Sequence, residues 1–361
     1  MNEPRIFEGL EGVLVARTEL SEVDGARGRL TLRGQPVEAL AGELSFEAML
    51  GLLFDGGLPG ATRLARLQAE LGAARLRAHA ALRPRFAALY ASDAMTMLRS
   101  ALSTLPSDAA PSDVLALAAV TTAHWVRTQR GEQLLTPRPD LPHALDLLQL
   151  LRGPGVTEAE GKLLDAYLVT VAEHGFNAST FAARVAASTG ADLAAAVVAG
   201  VATLSGPLHG GAPGPVLDML DAVAEPQRAP DYVRAELAAG RRIMGMGHRV
   251  YRVRDPRAFV LERALRAFQS QDGTPPRLAL ARAVEAAAQA ELARKHPERA
   301  LRANVEFYTA LVLEALDIPR DAFTAIFACA RCAGYAAHYA EQRRDGRLIR
   351  PSALYVGPRA G

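Results

Sequence analysis

Residues 157–171 read TEAEGKLLDAYLVTV. Thr157 and Glu160 form a T-x-x-E capping box, in which the hydroxyl takes the N–H of the third helical residue and the carboxylate reaches back to the N–H of the cap. Behind it Leu163, Leu164, Tyr167, Leu168 and Val171 recur three or four apart and so share one helical face. The spacing predicts a helix that ends near His174. Helical spacing continues along most of the chain from Ser45 onward, punctuated at Asp55-Gly56-Gly57, Arg152-Gly153-Pro154-Gly155, Ser205-Gly206-Pro207 and Asp272-Gly273.

Only the opening departs from it. Val13, Leu14 and Val15, then Leu30, Thr31 and Leu32, with Asp24-Gly25 suited to a reversal between them, predict a small antiparallel ribbon. With no βαβ alternation and no repeat, the expected fold is mainly α with a short N-terminal β ribbon. Segments rich in Pro, Gly and Arg at 210–215 and around Ile318-Pro319 bracket about a hundred residues, as an inserted domain would. The expected division is a large helical domain from 1–211 and 317–361 and a smaller helical domain from 212–316, with the ligand cleft between them.

The 361 residues are enough for a large core. Half of them are hydrophobic and only 6% aromatic, a composition that favours closely packed helices. Of 41 basic residues only Lys162 and Lys295 are lysines, and 39 acidic residues leave a net charge of +2, without the excess that nucleic-acid binding needs. The opening twelve residues carry Glu3, Glu8 and Glu11 rather than a basic start and apolar stretch, so no secretion signal is read there. The longest apolar run, Ala194 to Leu204, falls short of the roughly 20 residues a bilayer requires. A soluble cytoplasmic protein with no nucleic-acid or membrane partner is expected. Cys329 and Cys332 form a C-x-x-C, but they sit in an apolar helical run with no second pair to complete a zinc site, and they read as buried structural thiols.

There is no G-x-S-x-G elbow, H-E-x-x-H or phosphate loop, and Gly245-Met246-Gly247 lacks a third glycine, which argues against dinucleotide binding. Four other segments place ionisable groups beside glycines or helix starts: EHGFNAST at 173–180, GPLHGGA at 206–212, GHRVY at 247–251 followed by DPR at 255–257, and NVEFY at 304–308. Glycine lets backbone approach a ligand, and imidazole serves as donor or acid near neutral pH. Each histidine alone would be an ordinary structural residue. Together they carry more weight.

These segments, in this order, resemble the citrate synthase family, whose members carry EH-x-x-NAST, GPLHGGA, GHRVY before DPR, and NVDFY. Gly9 to Val13, Asp24-Gly25 with Gly28 to Leu30, and Arg347 to Pro351 with Tyr355 to Gly357 extend the resemblance to nearly the whole chain. It implies condensation of acetyl-CoA with oxaloacetate to citryl-CoA and hydrolysis to citrate and CoA, the reaction of the tricarboxylic acid cycle. No metal and no permanently bound cofactor is implied; acetyl-CoA, or another short acyl-CoA, is a co-substrate. By the same resemblance His209 donates to the thioester oxygen as the enolate forms, and His248 polarises the ketone and protonates the alkoxide. His174, Arg257, Arg331 and Arg350 hold the dicarboxylate, Arg350 reaching in from the second subunit of a homodimer. Arg252 is implied at a CoA phosphate. No separate NADH-sensing module is expected ahead of the ribbon.

Two arginines carry rival readings. Arg257 follows Asp255-Pro256, which looks like a helix cap and first position, so it could be a surface residue. Arg331 lies in an apolar helix and needs a partner, either a bound carboxylate or an Asp or Glu of the chain.

The base departs from the family pattern, because Glu306 stands where the family has Asp. One extra methylene displaces the carboxylate by about 1 Å, enough to cost on the order of a hundredfold in rate. Asn304 is the expected cap of the following helix, whose dipole favours the ionised form of Glu306. Ala303 stands where relatives have proline, so a local backbone shift is expected. A 2-methylcitrate synthase using propionyl-CoA, or a weakly active paralogue that binds dicarboxylate or CoA, are the alternatives.

Overall fold

The computed structural model describes residues 6–10, 12–210, 213–248, 250–269, 276–297, 299 and 301–358, with only the backbone of Pro213 among them. Gly211 and Ala212 at the expected domain boundary, Arg249, Asp272-Gly273, Glu3 and Glu11 lie outside the described residues. The chain opens with the strands β1 (Ser21–Asp24), β2 (Arg29–Leu32) and β3 (Gln35–Pro36) in one antiparallel sheet, Asp24 pairing with Arg29 across the turn. Helices α1 (Val37–Leu40), α2 (Phe46–Asp55), α3 (Ala61–Leu82), α4 (Phe86–Leu89) and α5 (Ala94–Leu102) follow. Next come α6 (Pro111–Gln129), α7 (His143–Arg152), α8 (Glu158–Val171), α9 (Ala178–Ser188) and α10 (Leu193–Leu204). The series ends with α11 (Pro213–Val223), α12 (Ala229–Ala238), α13 (Pro256–Gln269), α14 (Pro276–Lys295), α15 (Val305–Ala315) and α16 (Phe323–Asp345).

The mainly helical expectation holds, with one correction at the ribbon. Residues 13–15 form no strand, and Leu14 is 95% exposed. A hairpin pairs the residues that flank its turn, so the reversal at Asp24-Gly25 selects Ser21–Asp24 as the partner of β2 and leaves 13–15 out of reach.

The capping box of α8 is present in both directions, with Glu160 N donating to Thr157 Oγ1 at 3.2 Å and Thr157 N to Glu160 Oε2 at 2.7 Å. All five residues of its apolar stripe are buried, and the helix stops at Val171, just short of His174. It packs on α7, α13, α16, α15 and α2, while α16 also packs on α6, α9 and α10. Alanine dominates the buried middle of α6 and α16, and small side chains let these helices approach closely. Cys329 and Cys332 are buried free thiols within α16, and burial pushes Cys329 up to about 12. No helix among the described residues is long and apolar enough to cross a membrane.

Candidate active site

The starts of α13 and α15 and the loop ahead of α13 are stitched together by backbone bonds. Gly247 N donates to Arg302 O at 2.7 Å, Asn304 N to Gly245 O at 2.9 Å, and Asp255 N to Ala303 O at 3.3 Å. None of these uses the N–H of Ala303, so they supply no hydrogen-bond reason for the expected shift there. Gly245 has a φ of 71°, and a Cβ on it would lie 2.9 Å from Phe307 Cβ, so the loop can rest on α15 only with glycine at this position. Asn304 caps α15 as its sequence predicts: Oδ1 accepts from Glu306 N at 3.0 Å, and Nδ2 donates to Gly247 O at 2.8 Å. The cap therefore fixes Glu306 relative to the loop that carries His248.

His248 Nδ1 accepts from the N–H groups of Val250 and Tyr251, each at 3.0 Å. In the neutral ring this places the proton on Nε2. Burial, reinforced by Arg257, pushes the imidazole down to about 4, so it is neutral at physiological pH. Arg257 Nη2 lies 3.4 Å from that Nε2.

The surface reading of Arg257 is overturned, since the residue is 3% exposed. Asp255 turns it inward, accepting Nε at 3.0 Å, Nη2 at 2.7 Å and the backbone N–H at 3.0 Å. The same carboxylate accepts from Val305 N at 3.2 Å, so one acid sets both the guanidinium and the start of α15.

His174 occupies the turn after α8, with Nε2 3.0 Å from Tyr251 Oη and its ring edge-on to His248 at 5.7 Å between centroids. Burial, then Arg257 and Arg331, hold it well below the usual histidine value. Arg331 is 2% exposed, its Nε donating to Val171 O at 2.8 Å and its guanidinium over the Phe327 ring. Its Nη2 is buried without a hydrogen-bond partner, and no Asp or Glu pairs with it among the described residues. Of the two partners the sequence left open, the carboxylate from within the chain is thus excluded for these residues.

His209 Nε2 lies 2.8 Å from Ser179 Oγ, which is also 2.7 Å from Asn177 Oδ1. Nδ1 is the nitrogen left free. Burial and then Arg331 lower its pKa, favouring the neutral ring.

Glu306 keeps part of its surface open, yet its Oε2 is buried without a partner. Burial raises the carboxyl to about 7 against the opposing pull of Arg257. The expectation that the helix start holds it ionised is corrected. Loss of water outweighs a dipole effect of at most ~2 kcal/mol.

Charge interactions tie the group together. His209, His248, Arg257 and Arg331 all act on His174, while Arg257 and Arg331 both act on Glu306. The structure thus brings together His174, His209, His248, Arg257, Glu306 and Arg331. Arg252 and Arg350 are both exposed; Arg252 still acts on His248 through its charge, whereas Arg350 lies on the C-terminal segment that follows α16. Among the described residues no cluster of His, Cys, Asp or Glu could hold a metal ion. Two buried cationic guanidinium groups, neutral imidazoles and helix starts suit a small polyanion, and a carboxyl near 7 beside them suits proton abstraction at neutral pH.

The family model "Citrate synthase, C-terminal domain" matches residues 9–352. The chain belongs to the citrate synthase family. The citrate synthase of Haloferax volcanii is 37% identical, with 97% of this chain and 95% of that one covered. That of Acidithiobacillus ferridurans is 35% identical over 99% and 97%. Among solved structures, citrate synthase from Thermotoga maritima superposes with a TM-score of 0.86 at 34% identity, covering 99% of this chain and 97% of that one. Thermoplasma acidophilum citrate synthase, solved as a ternary complex with carboxymethyl coenzyme A and oxaloacetate, gives 0.87 at 26% identity over 99% and 97%. This citrate synthase family member is accordingly an acyltransferase.

Three residues near the family's site escaped the sequence reading. Ser179 was visible only as part of the NAST cap, although its hydroxyl also meets His209. Asp255 read as a helix cap, and its grip on Arg257 at i+2 was the signal available. Glu173 precedes His174 in its motif, but its partners come from remote parts of the chain that local spacing does not reveal.

Proposed function

We propose that this chain condenses acetyl-CoA with oxaloacetate, giving citrate and free CoA, and so acts in the tricarboxylic acid cycle. The observation that carries the reading is the donor set of the unpartnered Arg331 Nη2, the His248 Nε2 proton and the Arg257 Nη2 proton not taken by Asp255, beside a carboxyl held near 7. Oxaloacetate brings two carboxylates and a keto oxygen, acceptors that match it.

In this mechanism Glu306 removes a proton from the acetyl methyl group. His209 donates to the thioester oxygen as negative charge grows there, a role that needs its proton on Nδ1 and so needs the Ser179 hydroxyl to turn from Asn177 Oδ1 to His209 Nε2. A preorganised neutral donor stabilises that charge more than the starting carbonyl. The enolate carbon attacks the ketone of oxaloacetate, and His248 gives its Nε2 proton to the new alkoxide and regains one from the proton Glu306 took up, which restores the neutral ring and the carboxylate. Water then cleaves the citryl thioester, forming citrate and the CoA thiol. His174, Arg257 and Arg331 hold the dicarboxylate throughout, and Arg252 meets a CoA phosphate.

The working form is a homodimer in which each Arg350 completes the other subunit's pocket. Its exposure on an arm with Leu348, Leu354, Tyr355 and Val356 also exposed supports this. Residues 212–316 form the smaller domain, which closes over 1–211 and 317–361 to exclude water. Two reduced, buried thiols fit a cytoplasmic location. A thiol-release assay with acetyl-CoA and oxaloacetate tests the proposal: release that needs both substrates supports it, and binding of oxaloacetate with no CoA release opposes it.

A further inference from the structure

Glu173 is fully buried and takes no part in the chemistry above. Its Oε1 accepts from Gly175 N at 2.6 Å, Ser21 Oγ at 2.8 Å and His338 Nε2 at 3.0 Å. The direction of the last bond is fixed from behind, because Arg184 Nη1 meets His338 Nδ1 at 3.1 Å and must be the donor there. Arg184 is in turn held by Glu341 Oε2 at 2.5 Å and Gln342 Oε1 at 2.9 Å. Burial alone would raise the Glu173 carboxyl, but His338, Arg331 and Ser21 together hold it below the usual value, so it is a buried carboxylate.

The other oxygen faces α16. Glu173 Oε2 has no hydrogen-bond partner, and a Cβ on Gly334 would lie 2.5 Å from it and 2.5 Å from Ala172 O. Gly334 is one turn beyond Arg331, whose Nε already bonds Val171 O. Residues 171–173 therefore lie directly on the turn of α16 that carries Arg331, in a contact only glycine permits.

From this we infer that Glu173 is a positioning residue for the dicarboxylate end of the site. Through Gly175 it closes the turn that presents His174. Through its second oxygen it places negative charge behind Arg331, leaving the unpaired Nη2 for the ligand. The inference rests on the proposed oxaloacetate site and gives that site a support the sequence motif does not explain. The acyl-CoA side, built from His209 and Glu306, has no contact with this carboxylate, so the two substrates should respond differently.

The test is steady-state kinetics of the full chain carrying Glu173→Gln, and separately Gly334→Ala, with each substrate varied, alongside imidazole nitrogen NMR shifts of the ligand-free proteins. Both variants are expected to raise the oxaloacetate KM by about tenfold or more while the acetyl-CoA KM stays within about twofold. The His174 resonances should move in Glu173→Gln. An unchanged oxaloacetate KM, or a parallel loss for both substrates, overturns the inference and leaves the proposed reaction standing. Should Glu173→Gln fail to fold, Ser21→Ala removes one of the three donors and should show the same split at a smaller factor; no split overturns the inference. If the wild-type chain releases no CoA at all, the proposed reaction falls, and His174 resonances unmoved by loss of the Glu173 charge would overturn the positioning role as well.

Discussion

Arg257 Nη2 and His248 Nε2 lie 3.4 Å apart as two donors, the imidazole proton being forced onto Nε2 by the backbone bonds to Nδ1. Neither can satisfy the other, so the space they face is complementary to an acceptor. Lysine at 257 would lose the fork that Asp255 orients. Arg257→Lys is expected to raise the oxaloacetate KM on the order of a hundredfold, with the acetyl-CoA KM close to wild type. Kinetics with each substrate varied check this, and an unaltered oxaloacetate KM removes Arg257 from the pocket.

Proton abstraction requires Glu306 ionised, and its carboxyl lies at about 7. The kcat/KM for acetyl-CoA is therefore expected to fall about tenfold per pH unit below that value. Stability should run the other way. The folded value is raised from 4.5, so the neutral form is favoured and its stabilisation is lost as pH rises through about 7. Glu306→Gln should melt above wild type at about pH 8 and close to it at about pH 4. Equal differences at both pH values contradict the assignment.

A second pH effect arises between α3 and α6. His79 Nδ1 and His124 Nε2 are 3.1 Å apart in the interior, and burial pushes His124 down to about 4, with His79 and the nearby Arg127 and Arg83 adding to it. A depressed histidine stabilises the fold above its unfolded value near 6.5, and that contribution is lost as pH falls through about 4. Melting temperatures across this range should decline less steeply in His124→Gln than in wild type. Parallel declines would show that the pair is not responsible.

Arg350 allows a subunit-mixing experiment. If it serves the neighbouring pocket, Arg350→Ala and Glu306→Gln are each nearly inactive as homodimers. Equal mixing then makes half the dimers mixed, each with one intact site, and restores roughly a quarter of wild-type activity. Activity no higher than the parents' average means that Arg350 serves its own chain.

Much of this was legible in the sequence because it was local. The Thr157 and Glu160 box, the stripe to Val171 and the Asn177 and Asn304 caps depend on residues within one turn of each other. The motif order named six residues that the folded chain gathers into one cluster. What was not legible depends on distance or burial. The strand partner of β2 was misplaced because a three-residue apolar run outweighed adjacency to the turn. The inward aim of Arg257 and the charge of Glu306 depend on how much water the assembled site excludes, and periodicity carries no such information. The Glu173 network joins Ser21, Arg184 and His338, which only the folded chain brings together.

The central claim is that Glu306 is the base of an acetyl-CoA and oxaloacetate condensation. Thiol release by wild type, Glu306→Gln and Glu306→Asp, measured with acetyl-CoA and with propionyl-CoA, tests it most directly. The account predicts CoA release by wild type that needs oxaloacetate and a loss of at least about a hundredfold in Glu306→Gln, with Glu306→Asp retaining turnover. Unchanged kcat in Glu306→Gln, or no release by wild type with either thioester, would contradict it.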